Sequence, residues 1–464
     1  MNGFYHNSTC SYELCCCRIV GVPSGSESSR GPDQRQETAH PAEGGLRRSV
    51  TLPQAVALYA GAVLGAGVLI LPGVGAGVAG PASLLAWGFD GLVGIPIALT
   101  FAALAARFPD AGGVALFVAR AFGSAAGAVV GWFYFLAAAV AQALVVLTGA
   151  HYVADALGWQ RPETFALAAS LLVAAVLANL RGLRLSARLQ LVLSGSVALV
   201  LLSAALAGLA RVDLDRLSPF LPEGWAAVGH AVVLLFFAFF GWEAITHLSA
   251  EFRDPARDVP RATLLAVMIV TVLYLGIAFA VVATGTYGSA ALNRVAVAHV
   301  LSASLGVNAR VLAALTAALI SLGTANVFVA ATSRLGYALA CDGDLPTPMS
   351  RLSTRRIPRI SILVVGAIAG GGLVIAYLRG WGAETFLVVP NSLVVIVYTL
   401  GMGAGVRLLS GRSRALAALA ALLCMGILPF AGIALLLPVG VATAGLTYRL
   451  VVRRFIRAEP WRRR

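Results

Sequence analysis

From about residue 47 onward the chain alternates long apolar stretches with short polar ones. Twelve stretches read as apolar helices, at 52–79, 83–106, 125–154, 164–180, 188–210, 226–250, 262–284, 306–336, 360–378, 383–406, 415–430 and 431–449. A helix rising about 1.5 Å per residue needs roughly 17 to 25 apolar residues to cross ~30 Å of hydrocarbon. The pattern therefore predicts an all-α polytopic membrane protein of about 12 transmembrane helices.

Two of these stretches are interrupted. "GAVLGAGVLILPG" (61–73) sets Gly65 and Gly67 on either side of Ala66, with Pro72 following. "LLFFAFFGWEAITHLSAEFRDPARDVPRA" (234–262) sets Gly241 among large apolar residues, with Glu243 and His247 behind it. Glycine and proline weaken a helix most, so helices 1 and 6 are expected to be discontinuous. Interruptions in corresponding positions five spans apart point to two inverted five-helix repeats whose broken helices meet near the midplane. The expected organisation is an N-terminal tail (1–46), a first repeat (47–210), a second, inverted repeat (211–406), helices 11 and 12 (407–449) and a basic C-terminal tail (450–464). Close packing of small residues is the alternative reading of the glycines.

Composition excludes a soluble protein: of 464 residues 59% are hydrophobic and only 12% charged, too few polar groups to cover a surface of that size. All 34 basic residues are arginine, and they alternate between loops. One side holds Arg47 and Arg48, Arg107 and Arg120, Arg181 to Arg188, Arg253 to Arg261, Arg334 to Arg359, Arg407 to Arg414 and the terminal Arg449 to Arg464. The other holds only Arg161, Arg211, Arg216, Arg294, Arg310 and Arg379. By the positive-inside rule both termini are cytoplasmic. The net charge of +14 is spread over short loops and one tail, with no basic domain, so it serves orientation and contact with anionic membrane lipid rather than nucleic acid.

Residues 1 to 46 are polar, rich in Gly, Ser and Pro and aperiodic, the composition of a disordered cytoplasmic segment. Cys10, Cys15, Cys16 and Cys17 fall there; three consecutive cysteines fit tetrahedral zinc poorly, and no metal or other cofactor is expected. Cys341 and Cys424 read as isolated packing residues. Gly75, Gly77 and Gly80 satisfy G-x-G-x-x-G, but a membrane helix precedes them and Pro81 follows, so the dinucleotide reading is rejected. No nucleophile, base and oxyanion set is visible, and the protein is not expected to be an enzyme.

An unwound segment presents N–H groups at the start of one half-helix and C=O groups at the end of the other. The first attract a carboxylate and the second an ammonium, which together describe a zwitterionic amino acid. Glycine at 65 and 67 lets the backbone approach such a ligand. "GAVLGAGVLILP" resembles the first-helix signature of the amino acid–polyamine–organocation transporter superfamily, and "FFAFFGWEAITHLSAEFRDPARDVPRA" its sixth-helix signature. "FPDAGGVALFVARAFGSAAGAVVGW" (108–132) is most similar to the bacterial exporters of methionine and branched-chain amino acids, and the likeness covers about residues 46 to 450.

The resemblance implies that the amides of Gly65, Ala66 and Gly67 receive the substrate carboxylate. It implies that the carbonyls of Val63, Phe237 and Phe240 receive the ammonium, and that Phe237 and Trp242, beside Gly241, border the side-chain pocket. Ala66 departs from the serine often found there. The apolar lining favours neutral, apolar side chains. Ionisable residues within spans are functional candidates, here Glu243 and Asp90 for proton coupling, with a structural carboxylate as the other reading of Glu243. His230 and His247 read as packing residues. Ser321 and Thr324 offer oxygens to sodium, which is not excluded, although such hydroxyls usually bond their own backbone. Glu251 to Arg261 form either an inner latch or a solvated loop. The expected function is proton-coupled export of a neutral amino acid by alternating access; an uptake permease of the same fold, or a non-transporting amino acid sensor, would share the pocket.

Overall fold

The computed structural model describes residues 52–108, 113–182, 187–244 and 255–458. The tail with its four cysteines, Arg47, Arg48, His247, Glu251, Arg253, Asp254 and residues 459–464 lie outside the described residues. The described chain is helical. In order the helices are α1 (Leu52–Val63), α2 (Leu71–Ala79), α3 (Ser83–Arg107), α4 (Gly113–Phe122), α5 (Ser124–Leu157), α6 (Arg161–Leu180), α7 (Ala187–Leu209) and α8 (Gly224–Leu235). There follow α9 (Pro255–Thr284), α10 (Ala290–Arg294), α11 (Ala296–Leu305), α12 (Val307–Cys341), α13 (Arg359–Arg379), α14 (Val388–Leu408), α15 (Gly411–Ile427) and α16 (Leu436–Ala458).

Each of the twelve apolar stretches has a helical counterpart, with departures that have local causes. The first is split into α1 and α2 around Leu64 to Ile70, and the sixth contains α8 and two short 3-10 turns. Nine helices among the described residues are long and apolar enough to cross a membrane, because α2 runs on into α3 through the turn at Gly80–Ala82, α15 into α16 through a kink at Gly432, and α8 at the sixth stretch is too short. Gly432 holds φ 54, a left-handed conformation that favours glycine. This is a multi-pass membrane protein.

The face at which α1 begins is termed the near side and the opposite face the far side. Burial sorts the helices. In α5, 78% of the apolar window lies inside the protein, whereas across α15 and α16 only 17% does, so α5 is the axis and the last two helices are rim. The outward faces carry Leu92, Leu199, Leu312, Leu378 and Ile433, all more than half exposed. Such a belt suits hydrocarbon, where backbone polar groups are already paired within helices. Gly77 of the rejected nucleotide motif, with Gly73 one turn before it, instead allows α2 to lie against Asn293 of α10; a β-carbon at Gly73 would collide with the Asn293 carbonyl. Cys341 and Cys424 are both buried.

Candidate functional site

The first interruption is built by local backbone geometry. The α1 ladder ends as Leu64 N–H bonds to the Ala60 carbonyl (2.9 Å), and Gly65 then turns extended, with φ −99° and ψ 173°. A 3-10 turn over Ala66–Leu69 follows, and Pro72 sits in the first turn of α2, where its missing N–H leaves no unpaired donor. The amides of Ala66 and Gly67 open that turn and, like the first N–H groups of any helix, find no partner within it. At the second interruption α8 tightens into a 3-10 turn at Phe236–Phe239, Phe240 is extended, and Gly241 takes φ 128°, which a side chain would strain. A second short turn, Trp242–Ala244, closes the segment.

The two interruptions meet. Between them lies a cavity of about 30 Å³. Val63, Gly65, Gly67 and Val68 line it from the first break and Phe237, Ala238 and Phe240 from the second, with Ala141 and Val145 of α5 and Thr324 and Phe328 of α12 completing the wall. Among the described residues no charged side chain is in the lining. Phe237 fills the space a substrate would need: a β-carbon on Gly67 would stand 2.7 Å from its ring Cε1. The carbonyls named from sequence are partly engaged, since that of Val63 accepts from Gly65 N–H (2.9 Å) and that of Phe237 from Phe240 N–H (3.2 Å). The Phe237 oxygen has a second lone pair, whereas that of Val63 also accepts from Tyr274 (3.4 Å).

The candidates do not all converge. Ala66 is wholly buried and adds only backbone. Trp242 lies outside the cavity, fully buried, with its ring against Tyr59 (5.3 Å) and Phe239 (6.5 Å). Glu243 is buried behind the second break, where Tyr134 of α5 donates to Oε1 and Tyr398 of α14 to Oε2. Gly241 N–H adds a bond to Oε2 (3.2 Å) and is shared with the Tyr398 hydroxyl (3.1 Å). Asp90 is elsewhere, on α3, buried and with neither oxygen bonded among the described residues. Thr324 faces Gly65, with Cγ2 3.6 Å from a β-carbon built there, while Ser321 packs on Gly149. His230 is exposed on α8.

Sequence reasoning missed the tyrosines. Tyr274 of α9 donates to the Val63 carbonyl (3.4 Å) and the Ala238 carbonyl (3.2 Å), one from each break. Tyr59 donates to the Trp242 carbonyl (2.6 Å) and Tyr152 to the Leu69 carbonyl (2.8 Å). Tyr59, Tyr152, Tyr274 and Tyr398 thus bond the irregular backbone, and Tyr134 holds the Glu243 carboxylate beside it. Their signal was a hydroxyl in mid-span, which must find an acceptor when buried.

On the far side a second cavity, of about 380 Å³, is bordered by His151, Asp155, Arg161 and Arg294. Arg161 donates to the Ala376 (2.7 Å) and Trp381 (3.0 Å) carbonyls, and Arg294 and Asp155 are in ion pairs. Arg294 forms a fork with Glu384 (2.9 and 2.7 Å), and Asp155 receives Arg310 (2.6 Å) and His299 (3.3 Å). These bonds fasten α10 and α11 over the end of α2.

The residues at both breaks fall within a known family. A family model described as amino acid permease matches residues 50–451. An uncharacterized amino acid permease of Bacillus subtilis, YecA, is 36% identical over 411 residues, covering 87% of this chain and 96% of that protein. The L-methionine/branched-chain amino acid exporter YjeH of Escherichia coli is 30% identical over 393 residues, covering 84% and 93%. A probable GABA permease of Pseudomonas aeruginosa is 26% identical, covering 80% of each chain. The chain therefore belongs to the amino acid permease family, within the amino acid–polyamine–organocation superfamily.

Proposed function

We propose that this protein is a secondary active transporter of neutral, apolar amino acids, of the methionine, leucine, isoleucine and valine class, which exports its substrate by alternating access against inward proton flow. The observation that carries this reading is the meeting of two helix breaks at one cavity whose lining, among the described residues, contains no charged side chain. The amides of Ala66 and Gly67, joined by that of Gly65 when it leaves the Val63 carbonyl, take the carboxylate, and the carbonyls of Phe237 and Phe240, with that of Val63 once Tyr274 and Gly65 release it, take the ammonium. A cavity of about 30 Å³ holds water rather than an amino acid, so loading requires the Phe237 ring to swing away from Gly67. The similarity to YjeH, named for methionine and branched-chain export, supports the substrate class and direction.

Glu243 is the coupling group in this reading. Its carboxylate gathers α5, α14 and the Gly241 amide; a proton on it removes one acceptor site and loosens the second break. The two breaks belong to inverted repeats, and the termini are cytoplasmic in a bacterial plasma membrane.

The test is flux of labelled methionine or leucine in proteoliposomes with pH and sodium gradients imposed separately. A proton gradient drives net movement and a sodium gradient does not, and neither arginine nor glutamate competes. Competition by those charged amino acids, or a strict requirement for sodium, contradicts the reading. Binding without flux identifies a sensor.

A further inference from the structure

Buried side-chain polar atoms usually find a protein or water partner. Seven that have no hydrogen-bond partner among the described residues fall on one seam, where α3 lies against α9 and the Trp242–Ala244 turn. On α3 they are Ser83 Oγ, Trp87 Nε1 and both oxygens of Asp90, at spacings of four and three residues that put them on one helical face. Across from them are Thr271 Oγ1 and Thr263 Oγ1 of α9 and Trp242 Nε1. Glycines bring the two sides together: a β-carbon on Gly91 would lie 2.9 Å from Thr271 Oγ1, and one on Gly94 would lie 3.2 Å from Trp242 Nε1.

The order of these groups is directional. Descending α3 from the far side, Ser83, Trp87, Asp90 and the level of Trp242 follow at steps of about 4 to 6 Å, each a gap that one or two waters bridge. Beyond Trp242, Thr263 Oγ1 neighbours the Tyr59 hydroxyl, and Tyr59 donates to the carbonyl of Trp242, the residue next to Glu243 (2.6 Å). The seam thus leads from the far-side end of α3 to the carboxylate behind the second break.

We propose that this seam is the proton route to Glu243, hydrated in the working cycle, with Asp90 as its acidic station. The proposal rests on the reading of Glu243 as the coupling group. Hydroxyls of Ser83, Thr271, Thr263 and Tyr59 relay, because each accepts a proton on one lone pair while releasing its own. The indoles of Trp87 and Trp242 only donate, so they orient water and do not carry the proton. The net step moves one proton from the Asp90 carboxylic acid to the Glu243 carboxylate, leaving Asp90 ionised and ready to be reprotonated from the far side. An ionised Asp90 in dry apolar surroundings would be costly, which ties its charged form to hydration of the seam.

Few other titratable groups compete. Cys424 of α15 lies close to Asp90, Tyr274 packs on Trp87 (5.2 Å) and Tyr398 is bonded to Glu243. His230 is exposed on α8, and Arg257, Asp258 and Arg261 of α9, Arg407 of α14 and Arg412 and Arg414 of α15 stand at near-side helix ends.

The experiment compares wild type, Asp90→Asn, Asp90→Glu, Thr271→Val and Glu243→Gln in proteoliposomes, measuring substrate exchange at equal pH and net flux driven by a pH gradient. Asp90→Asn is expected to keep exchange within twofold and to lose at least tenfold of the pH-driven flux. Asp90→Glu restores most of that flux, and Thr271→Val slows it several-fold with exchange unchanged. If Glu243→Gln abolishes pH-driven flux while Asp90→Asn and Thr271→Val both retain it, the route is overturned and Glu243 stands. If wild type shows no pH-driven flux, the coupling reading itself fails. Should Asp90→Asn not insert, Thr271→Val decides: wild-type pH-driven flux in that variant overturns the route.

Discussion

At the scale of single residues, Gly67 and Phe237 define the site. Any β-carbon on Gly67 meets the Phe237 ring at 2.7 Å, whereas at Gly65 the nearest atom is Thr324 Cγ2 at 3.6 Å, an ordinary contact. Gly67→Val is therefore expected to weaken methionine binding by more than tenfold in the purified protein, and Gly65→Ala by much less. Equal affinity for wild type and Gly67→Val would remove the backbone from the site. Trp242 gives a contrasting expectation. It is fully buried outside the cavity, so Trp242→Ala creates a core void that costs on the order of 3–5 kcal/mol while leaving the ranking of methionine, leucine and isoleucine unchanged. Phe240→Leu, in the cavity wall, shifts that ranking instead. Competition binding by the two variants separates these roles. The glycines and phenylalanines were legible in the sequence because composition marks a break. The phenols of Tyr134, Tyr274 and Tyr398 were not, because each bonds to an element more than 30 residues away.

At the scale of elements, the far-side cover is held by charges that the sequence displays only as scattered loop residues. Arg294 and Glu384 are 90 positions apart, and the fold makes them a two-pronged pair. Gly382 sits against this pair, and a β-carbon there would strike the Arg294 guanidinium. Glu384→Gln and Gly382→Ala should therefore act alike through different chemistry, releasing α10 from the 383–387 turn. The measurement is the rate at which a membrane-impermeant thiol reagent labels a cysteine introduced at Val68; both substitutions are expected to raise it several-fold, and an unchanged rate would show that the pair does not close this side. Helix boundaries were more accessible to sequence than such pairings. The turn at Gly80–Ala82 and the kink at Gly432 carry glycine, a local signal, whereas the end of α12 at Cys341, beyond the apolar stretch predicted to stop near 336, depends on packing against α5.

For the whole molecule, apolar periodicity was enough to give the class and the number of helical stretches, because a bilayer imposes one length and one surface on every span. Which helix forms the axis was not visible: α5 and the joined α15–α16 stretch are similarly apolar in sequence, and only packing buries the first and leaves the second at the rim. Deleting residues 1–44 is expected to leave insertion and flux nearly intact, since the helices, both breaks and the cavity are built from residue 52 onward. Loss of flux in a well-inserted truncation would assign the tail a part in transport. The central claim is that the two breaks together form the amino acid site. It is tested most directly by determining the structure with L-methionine bound. The account predicts the carboxylate within hydrogen-bond distance of the amides at 65 to 67, the ammonium at the carbonyls of 63, 237 and 240, and the Phe237 ring withdrawn from Gly67. Methionine seated instead in the far-side cavity beside Arg161 and Arg294, with Phe237 still against Gly67, would contradict it.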